Sequence, residues 1–195
     1  WQTHIPSKYA KAHDISLKEA QDYLNIETGK VSGKIEWYCL DYWTEKLDLP
    51  IVELKKEIKH KIALRPDTLP FLDALKQANK KVVLVTNAHP DSLSLKVERT
   101  ELDKHIDLLI STHSYGVTKE SQTLWQKLQA DLKFDNDTTL FVDDSLVILD
   151  SAKKFGIKHL LSVANPDSKK PRLSDAQLKG YSYIMDYRSI INDIK

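Results

Sequence analysis

The period of apolar positions changes along the chain near residue 65. Before it, the spacing is helical throughout. Ser16-Leu17-Lys18-Glu19 has the form of a capping box, in which the Ser hydroxyl and the Glu carboxylate each satisfy an N–H at a helix start. Ile35, Cys39, Tyr42, Trp43 and Leu47 predict one helix over Lys34 to Leu47, with Cys39 mid-helix as a small hydrophobe. Pro50 opens a further helix with Ile51, Leu54, Ile58 and Ile62 on one face. Lys55, Lys56, Lys59 and Lys61, mixed with Glu53 and Glu57, read as its solvated face.

From Arg65-Pro66-Asp67 onward, helices alternate with short β-branched runs. Asp67 is expected to cap a helix through Asn79. Strands are expected at Lys81 to Val85, Ile106 to Ile110, Thr138 to Val142 and His159 to Val163. Between them the pattern predicts helices over Asp91 to Thr100, Lys119 to Leu132 and Ser145 to Phe155. Strands spaced by helices need crossover connections, so this region is an α/β domain with a parallel sheet. Asn165 to Ser174, with Pro166 and Pro171, reads as a loop.

Composition narrows the class. The 195 residues suit one domain or a core with a small accessory domain. With 41% hydrophobic and 29% charged residues, the chain is neither collagen-like nor disordered. Lys plus Arg (29) nearly balances Asp plus Glu (28), which argues against a nucleic-acid partner. No apolar run approaches the roughly 20 residues of a membrane span. Cys39 alone cannot form an internal disulfide, so a reducing, cytoplasmic setting is expected. The single Met is Met185 and the chain opens on Trp1, so a segment is expected to precede it.

Ligands of open parallel sheets bind at the carboxyl ends of the strands. Thr86, Asn87, Ala88 and His89 follow the first predicted strand. Ser111, Thr112 and His113 follow the second, with Lys119 a few positions on. Asp143, Asp144 and Ser145 follow the third. Each signal alone is bland, since Thr-Asn often marks a turn and Lys at a helix start usually meets water. Together a hydroxyl, a lysine and paired carboxylates suit phosphoryl chemistry. Asp143 and Asp144 can ligate Mg2+, Lys119 can neutralise a transferring phosphoryl group, and Thr86 can hydrogen-bond its oxygens.

The order strand–Thr86-Asn87, Lys119, strand–Asp143-Asp144 resembles motifs II, III and IV of the haloacid dehalogenase (HAD) superfamily of Mg2+-dependent phosphohydrolases. Trp37-Tyr38-Cys39-Leu40-Asp41-Tyr42-Trp43, Thr86-Asn87-Ala88-His89-Pro90, Leu140-Phe141-Val142-Asp143-Asp144-Ser145 and Asn165-Pro166-Asp167-Ser168 resemble bacterial nucleotidases that dephosphorylate GMP and IMP. The resemblance implies an α/β fold: a Rossmann-like parallel core over residues 65–195 and a small helical cap over residues 1–64. It implies an Asp nucleophile on a first strand, an aspartyl-phosphate intermediate and a second Asp as general acid. On this chain it gives Thr86 the motif II role, helped by Asn87 and Ala88, and Lys119 that of motif III. Asp144 becomes the direct Mg2+ ligand, with Asp143 ligating or just behind, and His89 a phosphate or ribose contact. In the cap, a purine could stack on Trp37 or Tyr38 while Asp41 accepts from a base N–H.

Two departures bear on this. Many members carry a further acid four positions after the motif IV Asp, where this chain has Ile148, and many have Gly in place of Asp143. Motif I, which bears the nucleophile on the central strand between the first and third predicted here, is absent from the 195 residues. It is expected roughly ten to twenty residues upstream. The alternatives are a hydrolase of another small phosphoester, such as a sugar phosphate, or a non-catalytic phosphate-binding module.

Overall fold

The computed structural model describes residues 2–167 and 171–194. Ser168, and with it the middle of the loop expected over Asn165 to Ser174, lies outside them. The chain divides into two compact units, each assembled from separate segments. Trp1–Leu64, Val85–Lys104 and Leu109–Thr118 form the first. Arg65–Leu84, His105–Leu108 and Lys119–Lys195 form the second.

The first unit holds α1 (His4–Ala12), α2 (Leu17–Lys30), α3 (Ile35–Tyr38), α4 (Leu40–Leu47), α5 (Ile51–Glu57) and α7 (Pro90–Thr100). The capping box forms as expected: Glu19 N–H donates to Ser16 Oγ at 3.2 Å, and Ser16 N–H to Glu19 Oε2 at 2.9 Å. Ile5, Leu24, Leu40, Trp43, Leu47 and Ile51 share one buried core. The helix expected over Lys34 to Leu47 is broken at Cys39, whose backbone is extended at φ −79° and ψ 117°. Local bonds stabilise the break. Cys39 Sγ accepts from Tyr42 N–H at 3.5 Å, capping α4, and Trp43 Nε1 donates to the Trp37 carbonyl at 3.1 Å.

The solvated lysine face is also only partly so. α5 ends at Glu57 and gives way to a short 3-10 turn, and Lys55 turns inward to donate to Ser92 Oγ of α7 at 2.9 Å. Burial, then the neighbouring Lys96 charge, lowers the Lys55 pKa.

The second unit holds α6 (Thr68–Gln77), α8 (Gln122–Leu132), α9 (Leu146–Phe155), α10 (Asp175–Leu178) and three strands, β3 (Leu140–Asp143), β4 (His159–Val163) and β5 (Ser182–Ile184). These strands pair in parallel in the order β3-β4-β5, with Leu140 opposite His159 and Leu161 opposite Ser182. α8 and α9 bury Leu124, Trp125, Leu128 and Leu149. Trp125 Nε1 donates to Ser151 Oγ at 2.9 Å, and the Trp125 ring meets Phe141 edge-on.

β1 (Val83–Thr86) and β2 (Leu108–Ser111) form a separate two-stranded set, each strand crossing the division between the units. β1, β2 and β3 each begin two residues later than the apolar runs suggest, and ahead of β1 and β3 a side chain takes a leading N–H group. Val82 N–H goes to Asp107 Oδ2 at 2.7 Å, and Thr138 N–H to Asp135 Oδ1 at 3.2 Å. Among the described residues no helix is long and apolar enough to cross a membrane.

Candidate active site

Asp143 closes β3 at the carboxyl end of the strand, in register with Ser162 of β4. Oδ2 receives Lys119 Nζ at 2.5 Å, and Oδ1 accepts Ser145 N–H at 2.9 Å. This ion pair is sequestered, with the lysine and aspartate side chains 12% and 6% exposed. Asp144, the next residue, is exposed. The donor set is therefore divided. Both oxygens of Asp143 are engaged, while Asp144 presents a carboxylate to solvent. Hard oxygen donors suit Mg2+, which keeps most of its waters and needs only one or two carboxylates. Asp144 fits as the direct ligand and Asp143 as the anchor of Lys119.

Behind this corner, Arg65 and Asp67 make a clasp. Arg65 donates to both Asp67 oxygens at 3.1 Å and to the carbonyls of Asn165 and Met185 at 2.7 Å. Asp67 also accepts Tyr187 N–H at 2.8 Å. The expected side-chain cap on α6 does not form, because this carboxylate is spent on the clasp. Burial alone would raise the Asp67 pKa, but the Arg65 bonds and Tyr187 N–H outweigh it and hold it below its ordinary value. Burial pushes the Tyr187 hydroxyl up; the nearby Asp67, Asp144 and Asp143 charges act in the same direction, against Arg65.

The residues after β1 belong to the first unit. Thr86 Oγ1 accepts Ala88 N–H at 3.1 Å, a turn that orients the hydroxyl. Asn87 is buried and its Oδ1 accepts from Thr112 Oγ1 at 3.1 Å, while the Ala88 carbonyl accepts from Ser111 Oγ at 2.7 Å. His89, also buried, caps α7 by accepting Asp91 N–H at Nδ1 over 3.3 Å. Its Nε2 lies 3.4 Å from Asp41 Oδ2. The His113 ring meets His89 edge-on with centroids 5.0 Å apart. Burial, then the neighbouring His89, lowers the His113 pKa, against the bond it donates to the Asn87 carbonyl.

The structure thus joins Lys119 to Asp143, and His89 to Asp41. It assigns Thr86, Asn87, Ala88 and His89 to one unit and Lys119, Asp143 and Asp144 to the other. In the aromatic cluster, Trp43 is core, Tyr38 and Tyr42 are half-buried and Trp37 is exposed. Sequence reasoning missed the Arg65–Asp67–Tyr187 clasp and the Thr112–Asn87 bond. The Arg65-Pro66-Asp67 punctuation was a signal for the first, but its distant partners carry none.

The model of the haloacid dehalogenase-like hydrolases matches residues 9–156. The GMP/IMP nucleotidase YrfG of Escherichia coli (strain K12) is 41% identical over 191 residues, covering 98% of this chain and 85% of that protein. The GMP/IMP nucleotidase YrfG of Shigella flexneri matches over the same shares at 41% identity. Among solved structures, a HAD phosphatase from Thermococcus onnurineus superposes with a TM-score of 0.78 at 21% identity, covering 98% of this chain and 87% of that one. That likeness is one of fold.

Proposed function

The chain belongs to the haloacid dehalogenase-like hydrolases, and from that premise we propose that it is a Mg2+-dependent phosphomonoesterase acting on purine nucleoside 5'-monophosphates such as GMP and IMP. The observation that carries the reading is the sequestered Lys119–Asp143 pair at the end of β3, with Asp144 exposed beside it. A cation fixed by a buried carboxylate needs no reorganisation to meet charge that develops on a transferring phosphoryl group. Asp143 therefore acts through Lys119 as its positioning partner.

Thr86 supplies a hydroxyl, and Asn87 a backbone N–H, to phosphoryl oxygens, while Ala88 N–H holds Thr86 Oγ1 and the bonds from Thr112 and Ser111 fix that turn. Mg2+, held by Asp144, would offset phosphoryl charge when bound. By resemblance to the family, the reaction would pass through an aspartyl-phosphate formed on an Asp nucleophile, with a second Asp as general acid. His89, Asp41, Trp37 and Tyr38 are the substrate contacts of this reading, and the segment 1–64 is its cap.

The test is phosphate release by the full-length protein with Mg2+ across GMP, IMP, AMP, pyrimidine nucleotides and sugar phosphates. GMP and IMP should exceed the sugar phosphates in kcat/KM by about tenfold or more, about 1.4 kcal/mol of transition-state binding. Chelation should abolish turnover and added Mg2+ restore it. A sugar phosphate turned over best would overturn the substrate; no release from any ester would leave a phosphate-binding module.

A further inference from the structure

Three ligand-type side chains from distant parts of the sequence meet within the first unit. Cys39 stands at the break between α3 and α4, His89 at the start of α7 and His113 in the turn after β2. One donor atom of each lies within 4.8 Å of the others. We propose that Cys39, His89 and His113 bind one divalent ion of borderline softness, Zn2+ above all, through a thiolate and two imidazoles.

Ligand type and orientation both support this. A thiolate with two imidazoles selects Zn2+ over Mg2+, which prefers oxygen. Tetrahedral Zn2+ places its N and S ligands roughly 3.3–3.8 Å apart, so modest side-chain rotation brings these three into range. His113 is already arranged as a ligand. It donates one ring N–H to the Asn87 carbonyl, while Nε2 is buried and has no hydrogen-bond partner. The bonded nitrogen is therefore Nδ1, and Nε2 offers its lone pair to the cluster. A backbone carbonyl on the far nitrogen is the usual way a metal-binding imidazole is held.

His89 can adopt the matching arrangement. With the ion on Nε2, its ring proton moves to Nδ1, which gives up the Asp91 N–H it accepts at 3.3 Å and turns to the Asp91 carboxylate 3.7 Å away. Asp41 Oδ2, 3.4 Å from Nε2, is within reach of a fourth position. Binding replaces the Cys39 S–H bond with a sulfur–metal bond and releases that proton to solvent. Tyr42 N–H already faces Sγ and compensates part of the thiolate charge. The ion would tie together three chain segments that the sequence keeps far apart; the inference does not rest on the phosphatase reading, and it would take His89 and Asp41 out of the substrate contacts named there.

The test uses the full-length protein, stripped of metal and then given saturating Mg2+ to fill oxygen-ligand sites. Co2+ is titrated next, followed by Zn2+. One ion per chain should bind, with a thiolate-to-cobalt charge-transfer band in the near ultraviolet and the strong visible bands of a tetrahedral ion, both lost on adding Zn2+. Cys39→Ser should remove the charge-transfer band, and His113→Gln should weaken Co2+ binding at least tenfold, with circular dichroism confirming both folds. If either variant fails to fold, Asp91→Asn decides: it should keep the band and lose about tenfold in affinity through His89. Absence of the band in the unmodified protein, its persistence in folded Cys39→Ser, or unchanged affinity in Asp91→Asn overturns the site.

Discussion

At the residue scale the decisive contact is Lys119 with Asp143. Removing one member of a buried pair leaves a charge without its partner, which costs about 3–5 kcal/mol, whereas replacing both can be nearly neutral. Lys119→Met should therefore destabilise the chain and lower kcat by about 10²–10³, the scale for one lost charge-stabilising donor. The double variant Lys119→Met with Asp143→Asn should regain most of the stability in urea unfolding and none of the activity. Recovery of turnover in that protein would show that Lys119 acts only through the fold.

Asp67 gives a second, pH-dependent case. Its pKa in the folded protein lies below the ordinary 3.8. The stability it contributes is thus complete above about pH 4 and is lost as pH falls through the folded value. Asp67→Asn should cost about 1–3 kcal/mol near pH 7, for the weakened bonds from Arg65 and Tyr187. The gap in urea midpoint between the two proteins should close as pH drops below 4; a gap constant with pH would remove the clasp from the account.

At the element scale, helix termini read well from the sequence wherever their bonds are local. The Ser16 capping box formed as its spacing implied, and β4 lies over the run that predicts it, His159–Val163. Position-specific failures share one cause, a distant or competing partner. Asp67 gave its carboxylate to Arg65 and Tyr187, and Lys55 found Ser92, neither visible from spacing. Cys39 kept helical periodicity yet broke the helix, because its sulfur took an N–H that the helix would have used. β5 has only three residues, too few to show a period. Of the candidate site, the residue types after each strand were legible, but not the engagement of Asp143 by both Lys119 and Ser145. Gly156, at the end of α9, tests how local a terminus can be. It sits at φ +109°, and a Cβ there would come within 3.2 Å of Asn136 Nδ2. Gly156→Ala combines backbone strain with a tight contact, so it should cost about 1–2 kcal/mol by thermal unfolding. A change under a few tenths would mean the turn relaxes freely.

At the scale of the whole molecule, the chain threads repeatedly between its two units, so sequence segments and compact units do not coincide. The segment 1–64 has a core of its own around Trp43 and Leu47. It also draws support from later residues of the same unit: Lys55 bonds Ser92, Lys59 pairs with Glu98 at 3.4 Å, and Thr118 Oγ1 donates to the Gly33 carbonyl at 3.1 Å. The exposed Lys59 pair contributes little, since surface ion pairs are worth about 0–1 kcal/mol. Packing of α5 on α7 carries more. Ile51 and Leu54 already share the core around Trp43, but a helix of only seven residues is marginal by itself and without the later segments loses its contact with α7, where Lys55 meets Ser92. Residues 1–64 expressed alone should therefore fold around the Trp43 core but lose order selectively at α5. Amide hydrogen exchange of that fragment against the full-length protein measures this directly. The amides of α2 and α4 should keep more of their protection than those of α5, which should exchange nearly as fast as an unfolded chain. Equal retention across all three helices would mean that α5 is held by the segment 1–64 alone, and that the later segments add nothing to it.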